Sequence, residues 1–184
     1  PLSWHHGDMT TREPTGYLST GVIGPELIIT RRIPFVIDAV WNQITDPALL
    51  GTWYGSYEGD PATGTVVLTT REAPEQPGDV RIQHCEAPTA LAVTLESPAG
   101  DWVLAVTLNA AGEETDLEFR QRLDDPGYEA ADIGPGWEYY LDRLIVALEG
   151  GDPDALRWED YHPVLCAHYG RELPEEPGQM PAEN

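Results

Sequence analysis

Lysine is missing from this chain, and phenylalanine and cysteine are scarce, with two residues of each. All ten basic side chains are therefore arginine, set against 32 aspartates and glutamates, and the formal net charge is −22. A surface of that sign repels phosphate backbones and anionic head groups, which argues against nucleic acid or a membrane surface as partner. The acidity favours solubility and by itself selects no partner. No apolar run approaches the roughly 20 residues of a membrane-spanning helix. No stretch joins a basic start to an apolar run as a secretory signal does. Cys85 and Cys166 form no disulfide framework. A cytoplasmic setting with both thiols reduced is the expectation.

Catalytic and metal signatures are missing too. The chain has no GxSxG, P-loop or GxGxxG pattern, and no CxxC pair or HExxH. His162 and Cys166 are spaced i, i+4, but Pro163 disfavours helical geometry at His162. The two are not expected to align, and neither a metal nor a cofactor is expected.

What is present reads as a folded domain. The chain has 184 residues, 41% of them hydrophobic, with six tryptophans and eight tyrosines. Residues 1–25 are polar and read as an extended arm; residues 174–184, rich in Pro, Glu and Gly, read as a disordered tail. "ELIITRRIPF" (26–35) is a strand, and "VIDAVWNQI" (36–44) a short helix with Val36, Val40, Trp41 and Ile44 on one face. Asp46 stands at an N-cap position with Pro47 at the first helical position, so "DPALLGTW" begins a second short helix. Six strand-like segments follow between residues 54 and 123, joined by short turn sequences, which implies an antiparallel meander. "GPGWEYYLDRLIVALEGG" (134–151) then places Trp137, Leu141, Leu144, Ile145 and Leu148 on one helical stripe. That stripe must cover the apolar face of the sheet. One helix cannot fill seven curved strands, so a cavity between sheet and helix is expected.

The segments "VWNQITDPALLGTWYG", "CEAPTALAVTLES", "TDLEFRQRL" and "GPGWEYYLDRLIVALEG", in that order, resemble the START-like (SRPBCC) superfamily. More narrowly, they are similar to homologues of the C-terminal domain of the heat-shock protein 90 ATPase activator. The resemblance covers roughly residues 26–150. It implies an α+β helix-grip fold: a seven-stranded antiparallel sheet wrapped around a long C-terminal helix, with two short helices after the first strand. The domain reading is an arm (1–25), a START-like domain (26–151), a helical extension (152–173) and the tail. The extension can either cover Trp158, Tyr161, Leu165 and Tyr169 against the domain or close the cavity mouth. No catalytic motif of the superfamily transfers residue by residue.

Alternation along the strands sorts the faces. It sets Leu117, Phe119 and Gln121 inward with Leu104, Val106, Leu91, Val93, Val80, Ile82 and His84, and leaves Gln83 and Cys85 outside. The expected ligand-binding residues are Trp53, Trp102, Trp137 and Tyr140 as apolar walls, with His84 and Gln121 as polar groups. The expected function is binding of a hydrophobic small molecule. The alternatives are a protein-interaction module, as the resemblance to the chaperone activator suggests, and a cyclase- or hydratase-like enzyme with His84 as acid–base. Two such modules can pair as a homodimer, with no interface marked.

Overall fold

A computed structural model describes residues 13–96, 100–124 and 129–171. The sequence reading of the tail, and of the first twelve residues of the arm, lies outside them. The strands are β1 (Gly16–Ser19), β2 (Glu26–Ile33), β3 (Gly55–Glu58), β4 (Thr65–Thr70), β5 (Gly78–Glu86), β6 (Ala90–Leu95), β7 (Trp102–Ala111) and β8 (Glu114–Arg122). Helices α1 (Ile37–Thr45) and α2 (Pro47–Leu50) separate β2 from β3, α3 (Ala130–Leu148) follows β8, and α4 (Cys166–Tyr169) comes last.

All strands join one antiparallel sheet in the order β1-β2-β8-β7-β6-β5-β4-β3. The sheet thus has eight strands where seven are expected. The added one is β1, inside the expected arm, where Gly16 to Ser19 pair with Ile29 to Glu26 and cover the outer edge of β2. The meander from β3 to β8 is as expected. Because β2 pairs with β8 rather than β3, the chain must travel from one side of the sheet to the far edge. α1 and α2 make that crossing, and they close one end of the sheet's inner face.

The N-cap at Asp46 forms as the sequence requires, with its Oδ1 accepting from the amides of Ala48 and Leu49 at 2.8 and 3.1 Å. α3 begins at Ala130, four residues before the expected start, and carries Pro135 inside it. Its buried stripe is Trp137, Leu141 and Leu144. These meet Leu27, Ile29 and Ile33 of β2, Leu104 and Leu108 of β7, Leu117 and Phe119 of β8, and Val40, Trp41 and Ile44 of α1 in one core. The extension joins the same core: Tyr161, Leu165 and Tyr169 are buried there, while Trp158 stays exposed.

Candidate functional site: an apolar cavity beside the long helix

The backbone of α3 approaches β1, β2, α1 and α4, on one side of the sheet. Among the described residues α3 makes no comparable approach to β4, β5 or β6. Val66, Leu68 and Val80 gather there in a second, smaller cluster with Tyr57, Val93 and Leu95. Between the two clusters lies a cavity of about 280 Å³. Its walls include Trp53, Tyr54 and Trp137 on the helical side and Leu91, Val93 and Leu117 on the sheet. Ile82, Leu91, Val93 and Leu95 are only half-buried although they face inward. Residues sealed in a core would not be; those bordering open space are.

Among the described residues, no charged side chain lines the cavity. Most polar atoms of the lining are engaged with protein. Trp53 Nε1 donates to the Gln43 carbonyl at 3.0 Å, Tyr57 Oη to the Thr45 carbonyl at 2.7 Å, and Thr45 Oγ1 to the Trp41 carbonyl at 2.7 Å. Tyr54 and Cys85 are further lining residues that carry a polar side-chain atom. Burial, with the Glu72 carboxylate nearby, pushes the Tyr54 hydroxyl well above the ordinary phenol range, so it stays a neutral hydrogen-bonding group.

Of the six expected site residues, Trp53 and Trp137 line the cavity. Trp102, Tyr140 and Gln121 stand behind Trp137 instead. The rings of Trp102 and Tyr140 lie 6.3 and 5.8 Å from that of Trp137, and Trp137 Nε1 donates to Gln121 Oε1 at 2.5 Å. Gln121 is fully buried, and its Nε2 has no partner among the described residues. It orients a wall and does not face the cavity.

His84 is a correction. The β5–β6 register shifts between Ile82 and His84: Ile82 pairs with Val93, His84 with Ala92 and Cys85 with Leu91. Gln83 is the extra residue of a bulge, and a bulge exchanges the faces beyond it. His84 therefore points outward, exposed, with Nε2 3.7 Å from Glu86, and Cys85 reaches the cavity lining. Tyr54 and Phe119 are lining residues absent from the expected six. Their signals were there: Tyr54 adjoins Trp53, and Phe119 alternates with Leu117.

Two polar clamps hold the helical wall. Arg143 is buried and donates from Nε to the Trp53 carbonyl (2.9 Å), from Nη1 to the Tyr139 hydroxyl (2.8 Å) and from Nη2 to Asp154 (2.8 Å). Glu138 is buried and accepts from the Thr15 and Gly16 amides (2.7 and 3.2 Å), from Arg31 Nη2 (2.5 Å) and from the Tyr169 hydroxyl. One carboxylate on α3 thus fastens β1, β2 and the extension.

The extension also corrects the expectation for His162 and Cys166. His162 lies outside α4, as Pro163 requires. The turn nonetheless brings its ring and the Cys166 thiol together with Asp132 of α3, their ligand atoms all within 4.8 Å of one another.

The fold has known counterparts. Residues 34–149 match the family model described as "Activator of Hsp90 ATPase homolog 1-like protein". A comparison with curated proteins gives no match. Among solved structures, CalU16 from Micromonospora echinospora is similar with a TM-score of 0.65 and 24% identity, over 85% of this chain and 94% of that one. A protein encoded by gene BPP1335 of Bordetella parapertussis gives 0.63 and 23%, over 95% and 94%. DynU16, described as a protein in the dynemicin biosynthetic locus, gives 0.54 and 22%, over 70% of this chain and 49% of that one. At these identities the structural likeness carries the fold alone.

Proposed function

This chain belongs to the family of Activator of Hsp90 ATPase homolog 1-like proteins, with a START-type (SRPBCC) fold, and from that premise we propose that it binds a neutral, hydrophobic small molecule. The ligand sits between α3 and strands β4 to β6, in the helix-grip manner. One observation carries the reading: a cavity of about 280 Å³ with no charged side chain in its walls among the described residues. That is roughly twice the ~150 Å³ of an engineered cavity that stays dry and admits benzene. It suits a ligand larger than one aromatic ring, bound by apolar contact and one or two hydrogen bonds. DynU16, a neighbour in fold, comes from a biosynthetic locus, which accords with a small-molecule partner. With His84 outside, the enzyme reading loses its acid–base, and binding without chemistry is the simpler account.

The test begins with native mass spectrometry of gently purified protein. Extra mass that leaves on denaturation identifies a retained ligand. In parallel, a neutral solvatochromic dye is titrated into the wild type and into Val93→Phe. Val93 borders the cavity and is only half-buried, so the added ring fills empty space instead of displacing core. The expected result is saturable dye binding in the wild type, at least about tenfold weaker binding in the variant (~1.4 kcal/mol), and no loss of Tm. Equal binding by both proteins rejects the cavity as the site. A bare native mass with no dye uptake turns the weight to the protein-interaction reading, in which the acidic surface seeks a basic partner.

A further inference from the structure

The cavity does not use the cluster on the opposite side of α3. Asp132 stands in the first turn of that helix, His162 in the turn after a short 3₁₀ segment (Trp158–Asp160), and Cys166 opens α4. One carboxylate oxygen, one imidazole nitrogen and the thiol sulfur lie mutually within 4.8 Å. His162 Nε2 is 3.1 Å from Asp132 Oδ1. Two ligand atoms bound to one tetrahedral ion at about 2.0–2.1 Å stand about 3.3 Å apart, so this spacing needs little adjustment. The His162 ring is also held in plane, stacked on Trp158 with centroids 5.3 Å apart and planes 10° off parallel. The segment carrying His162 and Cys166 is anchored by Tyr161, Leu165 and Tyr169 in the core. Asp132 is exposed, which leaves an ion a path in.

We propose that Asp132, His162 and Cys166 form a binding site for a single divalent cation of the zinc type, with a fourth position left to water. Sulfur, imidazole and carboxylate together select zinc over magnesium or calcium, which prefer oxygen alone. A plain His–Asp hydrogen bond would account for two of the three groups and would need no thiol beside them. The ion would tie the first turn of α3 to the extension, one and a half turns or so along the helix from the Glu138 clamp.

Cobalt(II), which stands in for zinc and is coloured, is added to the reduced full chain. The chain holds two cysteines, so a sulfur-to-cobalt charge-transfer band reports one of them. The expected result is a band saturating at one equivalent, bleached by zinc, lost in Cys166→Ala and kept in Cys85→Ala. It is also kept when His5 and His6, two adjacent histidines in the arm sequence, are both replaced by alanine, which excludes them as the source of the band. No band at one equivalent, or a band that survives in folded Cys166→Ala, overturns the proposal. Should Cys166→Ala not fold, as judged by circular dichroism, Asp132→Asn at its exposed position decides. Weakened uptake in that variant supports the site, and unchanged uptake refutes it.

Discussion

Glu138 shows how much can rest on one side chain. Burial by itself would raise its pKa, but the charge of Arg31, the hydroxyl of Tyr169 and the amide of Thr15 outweigh burial and hold the carboxyl below its ordinary 4.5. A folded-state pKa lowered in this way gives stability that is complete above pH 4.5 and is lost as pH falls through the lower folded value. Glu138→Gln keeps the shape and removes the charge, leaving Arg31 with Asp142 at 3.3 Å as its remaining carboxylate. We expect it to cost about 3 kcal/mol at neutral pH, as breaking a buried pair does. The gap from wild type should narrow as pH drops below 4.5. Denaturant melts of both proteins from pH 7 to pH 3 check this, and a pH-independent gap would mean that the charge contributes nothing. None of this was legible in the sequence, which has 32 acidic side chains and marks none of them as buried. Gly134, four residues earlier on α3, was equally silent: a Cβ there would strike the ring of Tyr169, which donates to Glu138.

Elements were legible where a period ran long enough. The stripe of α3 and the alternation of β7 and β8 gave the correct faces, because eight or more residues repeat without interruption. The same rule failed in β5, where one extra residue at Gln83 reversed His84 and Cys85. A bulge leaves no mark on composition. β1 escaped notice because four residues carry no period, and its place is set by pairing with β2 and by the Glu138 clamp. The extension was recognised, but its two roles could not be separated from sequence. In the structure Tyr161, Leu165 and Tyr169 are buried against α3, and no described residue beyond Leu144 lines the cavity. Truncation after Gly151 should therefore act on stability. Three large side chains leave the core, each worth about 1.5–3 kcal/mol when fully buried, against the entropy of ordering the segment. A net loss of about 3 kcal/mol, or roughly 10 °C in Tm for a chain of this size, is expected. Dye affinity should hold at temperatures where the shortened chain stays folded. Weaker dye binding with Tm unchanged would instead make the extension a lid.

At the scale of the whole molecule the charge and the cavity act on the same ligand in different ways. Arginines such as Arg31, Arg81, Arg120 and Arg143 already meet carboxylates. The net −22 is thus carried by acids in excess of paired cations, and the surrounding potential opposes any anion. That field is screened over about 8 Å at physiological salt. The cavity adds a second penalty that salt cannot reach, since an anion inside it would be buried without a cation. A matched pair of ligands separates the two effects: one neutral aromatic amide and the corresponding carboxylate, each titrated at low and at high salt. The neutral ligand should bind with little salt dependence. The carboxylate should bind far more weakly, and salt should recover only part of the difference, the remainder being the cost of burying the charge. A carboxylate that matched the amide at high salt would place the binding site at the surface, where screening alone decides. One that matched it at low salt as well would require a buried cation, which the cavity walls do not contain among the described residues.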